Sequence, residues 1–192
     1  MKNIRRLLMS AVFVFAVTPA FADLKQGLAA VDARDFPKAA KLLAEAFGKG
    51  EADAAFYMGR LLELGASGNP DVQGAIAMYV AGSSKGSALA KNRLGLLHLE
   101  GAGVLQDYEK GAKLICEAAA AGEPNAEFNC GSLLDQGKGL PKDPKKAIEW
   151  YQKAAAHEGL VANFRINCEV MRIADFSFFD LKELVRDFER DR

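Results

Sequence analysis

Histidine and cysteine are scarce in this chain: two histidines and three cysteines stand among 192 residues. Neither His98 nor His157 has a second histidine or a nearby cysteine at metal-ligand spacing, so the sequence offers no zinc set and calls for no cofactor. Excess charge is missing too. Basic and acidic residues number 25 each, and no polybasic stripe or aromatic-basic interleaving marks a nucleic-acid or anionic-lipid surface. Catalytic signatures are likewise thin. No serine has lysine three residues on, H-E-x-x-H is absent, and the glycines of Gly131 to Lys138 are one residue too far apart for a P-loop.

The only strongly apolar run, Leu7 to Val17, is too short to span a bilayer. Lys2, Arg5 and Arg6 precede it, and Ala20-Phe21-Ala22 follows as a small-x-small site. Together these read as a secretory signal peptide over 1–22, cleaved after Ala22, with no stable membrane insertion afterwards. The expected mature chain is periplasmic or secreted. It would keep 22 basic and 25 acidic residues, a nearly neutral balance.

What the chain does have is a period of 36 residues. Superposing 51–86, 87–122 and 123–158 aligns Ala54/Ala90/Ala126, Gly59/Gly95/Gly131, Leu61/Leu97/Leu133, Gly65/Gly101/Gly137 and Asp71/Asp107/Asp143. Periods of this length build stacked supersecondary units with extended surfaces. Each unit reads as two helices. In the third, Ala126, Cys130, Leu133 and Leu134 fall on one face, and Gly137 supplies a left-handed stop. Gly131 sits mid-helix, where glycine costs about 1 kcal/mol relative to alanine, so its recurrence predicts close helix–helix approach. Asp143-Pro144 places an N-cap before a proline at the first helical position, and Asp107 and Asp71 occupy the same column. Along the second helices, Ala75, Met78, Tyr79 and Gly82, and Ala147, Trp150, Tyr151 and Ala154, form a buried stripe.

Both ends are irregular. Residues 23–50 read as a capping half-repeat, with Asp35 one period before Asp71 and with Gly48 and Gly50 closing it. Residues 159–192 read as a degenerate repeat and a capping helix, whose buried face is Phe178, Leu181, Leu184, Val185 and Phe188.

The pattern carried by Ala126, Gly131, Gly137, Gly139, Asp143, Lys146, Ala147, Trp150, Tyr151, Ala154 and Ala155 resembles the Sel-one-like repeat (SLR) family, relatives of tetratricopeptide repeats. The second copy matches through Ala90, Leu94, Gly95, Gly101, Gly103, Val104, Asp107 and Lys110. The family's tyrosine is replaced by Leu62, His98 and Leu134. The resemblance implies an all-α, right-handed α/α superhelical solenoid of about ten helices and a non-catalytic scaffold or adaptor. The expected partner is a protein or peptide, in the cell envelope if the leader is read correctly.

In such superhelices the first helices line the concave side, which makes their non-repeating positions the candidate groove: Phe56, Tyr57 and Arg60; Asn92, Arg93 and Leu96; Phe128, Asn129 and Ser132; Phe164, Arg165 and Cys168. The alternative is that these aromatics pack between repeats. Cysteine-rich SLR proteins bridge the turn between repeats through C-x7-C. Cys116 and Cys130 lie one helical turn further from that turn on each side, so they are either a disulfide or two buried thiols. Cys168 has no evident partner. The second functional reading is a cell-envelope hydrolase or β-lactam-binding protein of the cysteine-rich SLR type.

Overall fold

The computed structural model describes residues 21–66 and 68–157. Within them the chain forms eight α-helices and no strand: α1 Phe21–Asp32, α2 Phe36–Gly48, α3 Ala52–Glu63, α4 Val72–Ser84, α5 Ala88–Glu100, α6 Tyr108–Ala120, α7 Pro124–Gln136 and α8 Pro144–Ala156. Consecutive helices pack as hairpins, and each hairpin stacks on the next. The degenerate repeat and capping helix expected over 159–192 lie outside the described residues, as does the leader up to residue 20.

The second helix of every hairpin starts on the repeated aspartate. Asp35, Asp71, Asp107 and Asp143 accept the backbone N–H of Lys38, Gly74, Lys110 and Lys146 at 3.2, 2.8, 2.9 and 3.1 Å. Each cap satisfies a donor that the first turn would otherwise leave unpaired, an effect of roughly 1 kcal/mol per helix. At the far end of α5 and α7, Gly101 and Gly137 turn left-handed with φ of 75° and 69°, and their N–H groups close on Leu97 and Leu133. The chain then reverses through a short loop to the next aspartate.

The mid-helix glycines set the hairpin spacing. A methyl group at Gly95 would stand 2.6 Å from the Ile115 side chain and 2.8 Å from the Gly111 carbonyl oxygen. At Gly131 the same methyl would meet the Tyr151 ring at 2.9 Å, and at Gly59 it would run into the Tyr79 ring. So only the middle hairpin brings a carbonyl of its second helix this close to the glycine; in the flanking ones the glycine makes room for an aromatic ring. Tyr79, Ile115 and Tyr151 are fully buried as a result. Met78 and Trp150, expected on the same stripe, are only partly buried.

The core falls into three clusters, over α2–α3, α4–α5 and α6–α8, and is built largely from alanine and leucine, with Ala54, Ala90, Ala126, Ala112 and Ala147 at zero exposure. Between the second and third repeats it is strapped covalently. Cys116 on α6 and Cys130 on α7 are joined by a disulfide with a Cα separation of 5.0 Å. Closing a loop of about 15 residues stabilises a fold by roughly 3 kcal/mol through the unfolded chain.

The glycine contacts give a paired test. Gly95→Leu forces a side chain against backbone that cannot yield, and should destabilise by at least the 1–3 kcal/mol typical of overpacking. Gly48→Ala, at a helical position with nothing within 4 Å, should be neutral or slightly stabilising. Thermal melts followed by circular dichroism check both, and equal melting of the two variants would refute the spacer role of Gly95.

Candidate functional site

Successive first helices touch one another, α3 on α5 and α5 on α7, more closely than successive second helices do. A stack that closes on one side and opens on the other is curved, and the first helices line its inner side. The non-repeating stripe lies on α3, α5 and α7, the helices of that inner side.

Much of that stripe is nevertheless engaged in holding the hairpins together. Phe56 lies edge-on to Tyr57 at 5.1 Å between ring centres and tilts over Tyr79 at 6.1 Å, and Phe128 meets Tyr151 at 5.3 Å. Asn92 is buried. It donates to the Glu123 carboxylate at 3.0 Å and accepts from Asn129 at 3.2 Å. Glu123 in turn caps α7 through the N–H groups of Ala126 at 2.6 Å and Asn125 at 3.2 Å. Arg93 forks onto Glu63 of the preceding repeat, through Nε at 3.3 Å and through Nη2. Arg93 and Phe128 thus belong to the packing of the fold as well as to the stripe. Positions that vary between repeats vary because each junction is built from different side chains.

Glu63 is the centre of the first junction. Besides Arg93 it accepts from Tyr79 Oη at 2.7 Å and from Arg60 Nη1 at 3.0 Å. Burial pushes its carboxyl upward, but the hydrogen bonds from Arg93 and Tyr79 and the attraction of the two guanidinium groups outweigh that, and it is held below the ordinary glutamate range. Tyr79 is pushed well up, first by burial and then by its bond to Glu63. Arg93 is partly desolvated, yet the Glu63 carboxylate raises it further. On the same junction Ser87 donates to Asp53 at 2.6 Å while capping α5.

What remains reachable on the inner side is a smaller set. Tyr57, Arg60, Leu96, Asn129 and Ser132 are partly exposed, with Arg60 showing 39% of its side chain. The Tyr57 hydroxyl is pushed up by burial and by Asp53. Phe164, Arg165 and Cys168 lie outside the described residues. Sequence reasoning missed Glu63 and Glu123 as junction residues. The signal was present in the columns Glu63/Leu99/Asp135 and Glu51/Ser87/Glu123, whose residues change type while their neighbours repeat.

Chemistry of other kinds finds little purchase among the described residues. No three His, Cys, Asp or Glu side chains gather as a metal set. His98 is buried with Nδ1 3.3 Å from the Leu105 carbonyl, and His157 pairs with Glu127 at 3.2 Å. Gly82-Ser83-Ser84-Lys85-Gly86 does match G-x-S-x-G, but it lies at the end of α4, where Ser84 donates to the Ala81 carbonyl at 2.8 Å. It is a helix terminus, not the strand-to-helix elbow that exposes a nucleophile.

Comparison with known proteins agrees with this architecture. A family model described as Sel1 repeat matches 52–87, 88–123 and 124–158. A Sel1 repeat protein from Oxalobacter formigenes superposes with a TM-score of 0.67 at 26% identity, over 74% of this chain and 59% of that one. The protective antigen c5321 of uropathogenic Escherichia coli, displaying an SLR fold, gives 0.67 at 25% identity over 80% of this chain and 34% of that one. Helicobacter pylori cysteine rich protein B, at 20% identity and TM-score 0.55 over 67% of this chain and 92% of that one, shares the fold. Among curated proteins, the chitin synthase regulator SKT5 of Malassezia restricta is 34% identical over 66% of this chain, and that of Saccharomyces cerevisiae 28% over 62%. This chain spans only 9% and 18% of those two regulators.

The curated relatives overturn the expected location. Both are regulators from fungi, and they give the periplasmic or secreted reading, and the cell-envelope partner that went with it, no support.

The Glu63 cluster makes stability depend on pH in a definite direction. Its folded-state pKa lies below the unfolded value of about 4.3, so its contribution is complete above that value and is lost as pH falls through the lower, folded one. Glu63→Gln should lower the melting temperature at neutral pH, and the gap from the parent should close below about pH 4. A gap that persists unchanged into acid would show that the carboxylate charge is not what holds the junction.

Proposed function

The chain belongs to the Sel1 repeat family, and from that premise we propose that it is a non-catalytic scaffold that binds a protein or peptide partner along its concave face. The observation that carries the reading is the inner side of α3, α5 and α7, where Tyr57, Arg60, Leu96, Asn129 and Ser132 remain partly exposed on helices fixed by glycine spacers, aspartate caps and junction bonds. Tyrosine and arginine are favoured at interfaces because they combine large contact area with directed polar groups. A rigid frame keeps the ordering cost of binding small. The SKT5 proteins, named as regulators of chitin synthase, are consistent with a role exerted on another protein. The hydrolase alternative finds no favourable observation, since both described histidines are engaged elsewhere.

Position-specific photo-cross-linking tests the reading in cells that produce the protein. A photoreactive residue at Tyr57 or Ser132 should trap one discrete protein species, whereas the same residue at Lys145 or Gln152 on α8 should not. Tyr57→Ala with Arg60→Ala and Ser132→Ala should then weaken binding of that species by about tenfold or more while the helical melt changes little. Equal trapping from both sides, or retained binding by the triple variant, would refute the concave site.

A further inference from the structure

The two cysteines of the Cys116–Cys130 bridge have different surroundings. Cys130 is 1% exposed, within the core cluster of Ala126, Leu133 and Tyr151. Cys116 is only partly buried and lines an open cleft of about 920 Å³ between the outer face of α6 and the loop after α7, bounded by Tyr108, Lys113, Leu140 and Pro141. Lys113, one helical turn before Cys116, gives the cleft a cation. Glu109 and Glu117 also border it, but Glu117 is paired with Lys91 at 3.1 Å.

We propose that Cys116 is a site of thiol–disulfide exchange with low-molecular-weight thiols, reached through this cleft. An incoming thiolate attacks the Cys116 sulfur in line with the bridge, and a new S–S bond forms there. The electron pair of the old bond leaves on Cys130, which then takes a proton. A second thiolate attacking the mixed disulfide releases the small-molecule disulfide and leaves both cysteines reduced. The opposite attack, on Cys130, has no approach from solvent. Because the departing Cys130 thiolate forms among apolar groups, it is a poor leaving group, and it recaptures Cys116 readily from a Cα separation of 5.0 Å. Exchange is therefore slow and requires thiol in excess. Its result is loss of the covalent tie between the second and third repeats. This inference is independent of the partner reading above.

The test uses the full chain carrying Cys168→Ser, with reduced glutathione as the thiol and acid quenching before peptide mapping. Attack through the cleft gives a reduction rate nearly flat at low urea, because the native state reacts. A rate that follows the urea dependence of global unfolding from the first addition would overturn the proposal. Single variants identify the sulfur. With oxidised glutathione under native conditions, Cys130→Ser should form a mixed disulfide at Cys116 on the order of tenfold faster than Cys116→Ser forms one at Cys130, and the difference should vanish in denaturant. Equal native rates would overturn the assignment to Cys116.

Discussion

The architecture depends on one steric constraint: a glycine in the middle of each first helix lies flush against one bulky side chain of the second. Tyr79, Ile115 and Tyr151 can be wholly buried only because Gly59, Gly95 and Gly131 present no side chain of their own. The cost of glycine in a helix interior, about 1 kcal/mol each, is offset by burial of a large residue, typically 1.5–3 kcal/mol. The small residues of the second helix have the same logic. A methyl group at Gly82 would approach Ala90 at 2.9 Å and Ala55 at 3.0 Å, so the contact between one hairpin and the next is as tight as that within each.

Close stacking of this kind leaves little room for variation inside a hairpin and places the variation at the junctions. The first is electrostatic, with Arg93 and Arg60 gathered on Glu63 and Ser87 bonded to Asp53. The second is an uncharged amide relay from Asn129 through Asn92 to the capping carboxylate of Glu123, backed by the disulfide. Junctions of different chemistry respond to different conditions: acid acts on the first, thiols on the second. A solenoid whose repeats interact only with neighbours transmits such changes locally. Loosening either junction changes the relative position of the two first helices it joins, and with it the inner face.

Elements governed by short-range rules were legible in the sequence. The aspartate caps act over three residues and the glycine stops over one turn, so a 36-residue period was enough to mark where α4, α6 and α8 start and where α5 and α7 stop. The inner face was only half legible. Tyr57, Arg60 and Ser132 are partly exposed, but Arg93, Asn92 and Asn129 are also junction residues, because whether a polar side chain meets solvent or the next hairpin depends on a distance between repeats that no spacing within one repeat encodes. The leader reading failed for a related reason. A basic start, an apolar run and Ala20-Phe21-Ala22 describe composition, whereas the location was corrected by relatives that composition does not reveal.

The same reasoning separates the two kinds of non-repeating residue that a scaffold must contain. Glu63 changes to Leu99 and Asp135 along its column, yet in the first junction it is bonded to three side chains and is mostly withdrawn from solvent. Ser132 varies from Arg60 and Leu96 in the same way, but its only neighbour bond is to Gln136 on its own helix, at 2.7 Å. Variation marks departure from the repeat and does not by itself distinguish a junction from a binding surface. The direction of the bonding does: a side chain bonded across a junction is needed by the fold, whereas one bonded within its own helix, or to nothing beyond it, has polar capacity to offer a partner. By that criterion the surface proposed for the partner is narrowed to the middle and last turns of α3 and α7, on either side of the more occupied α5.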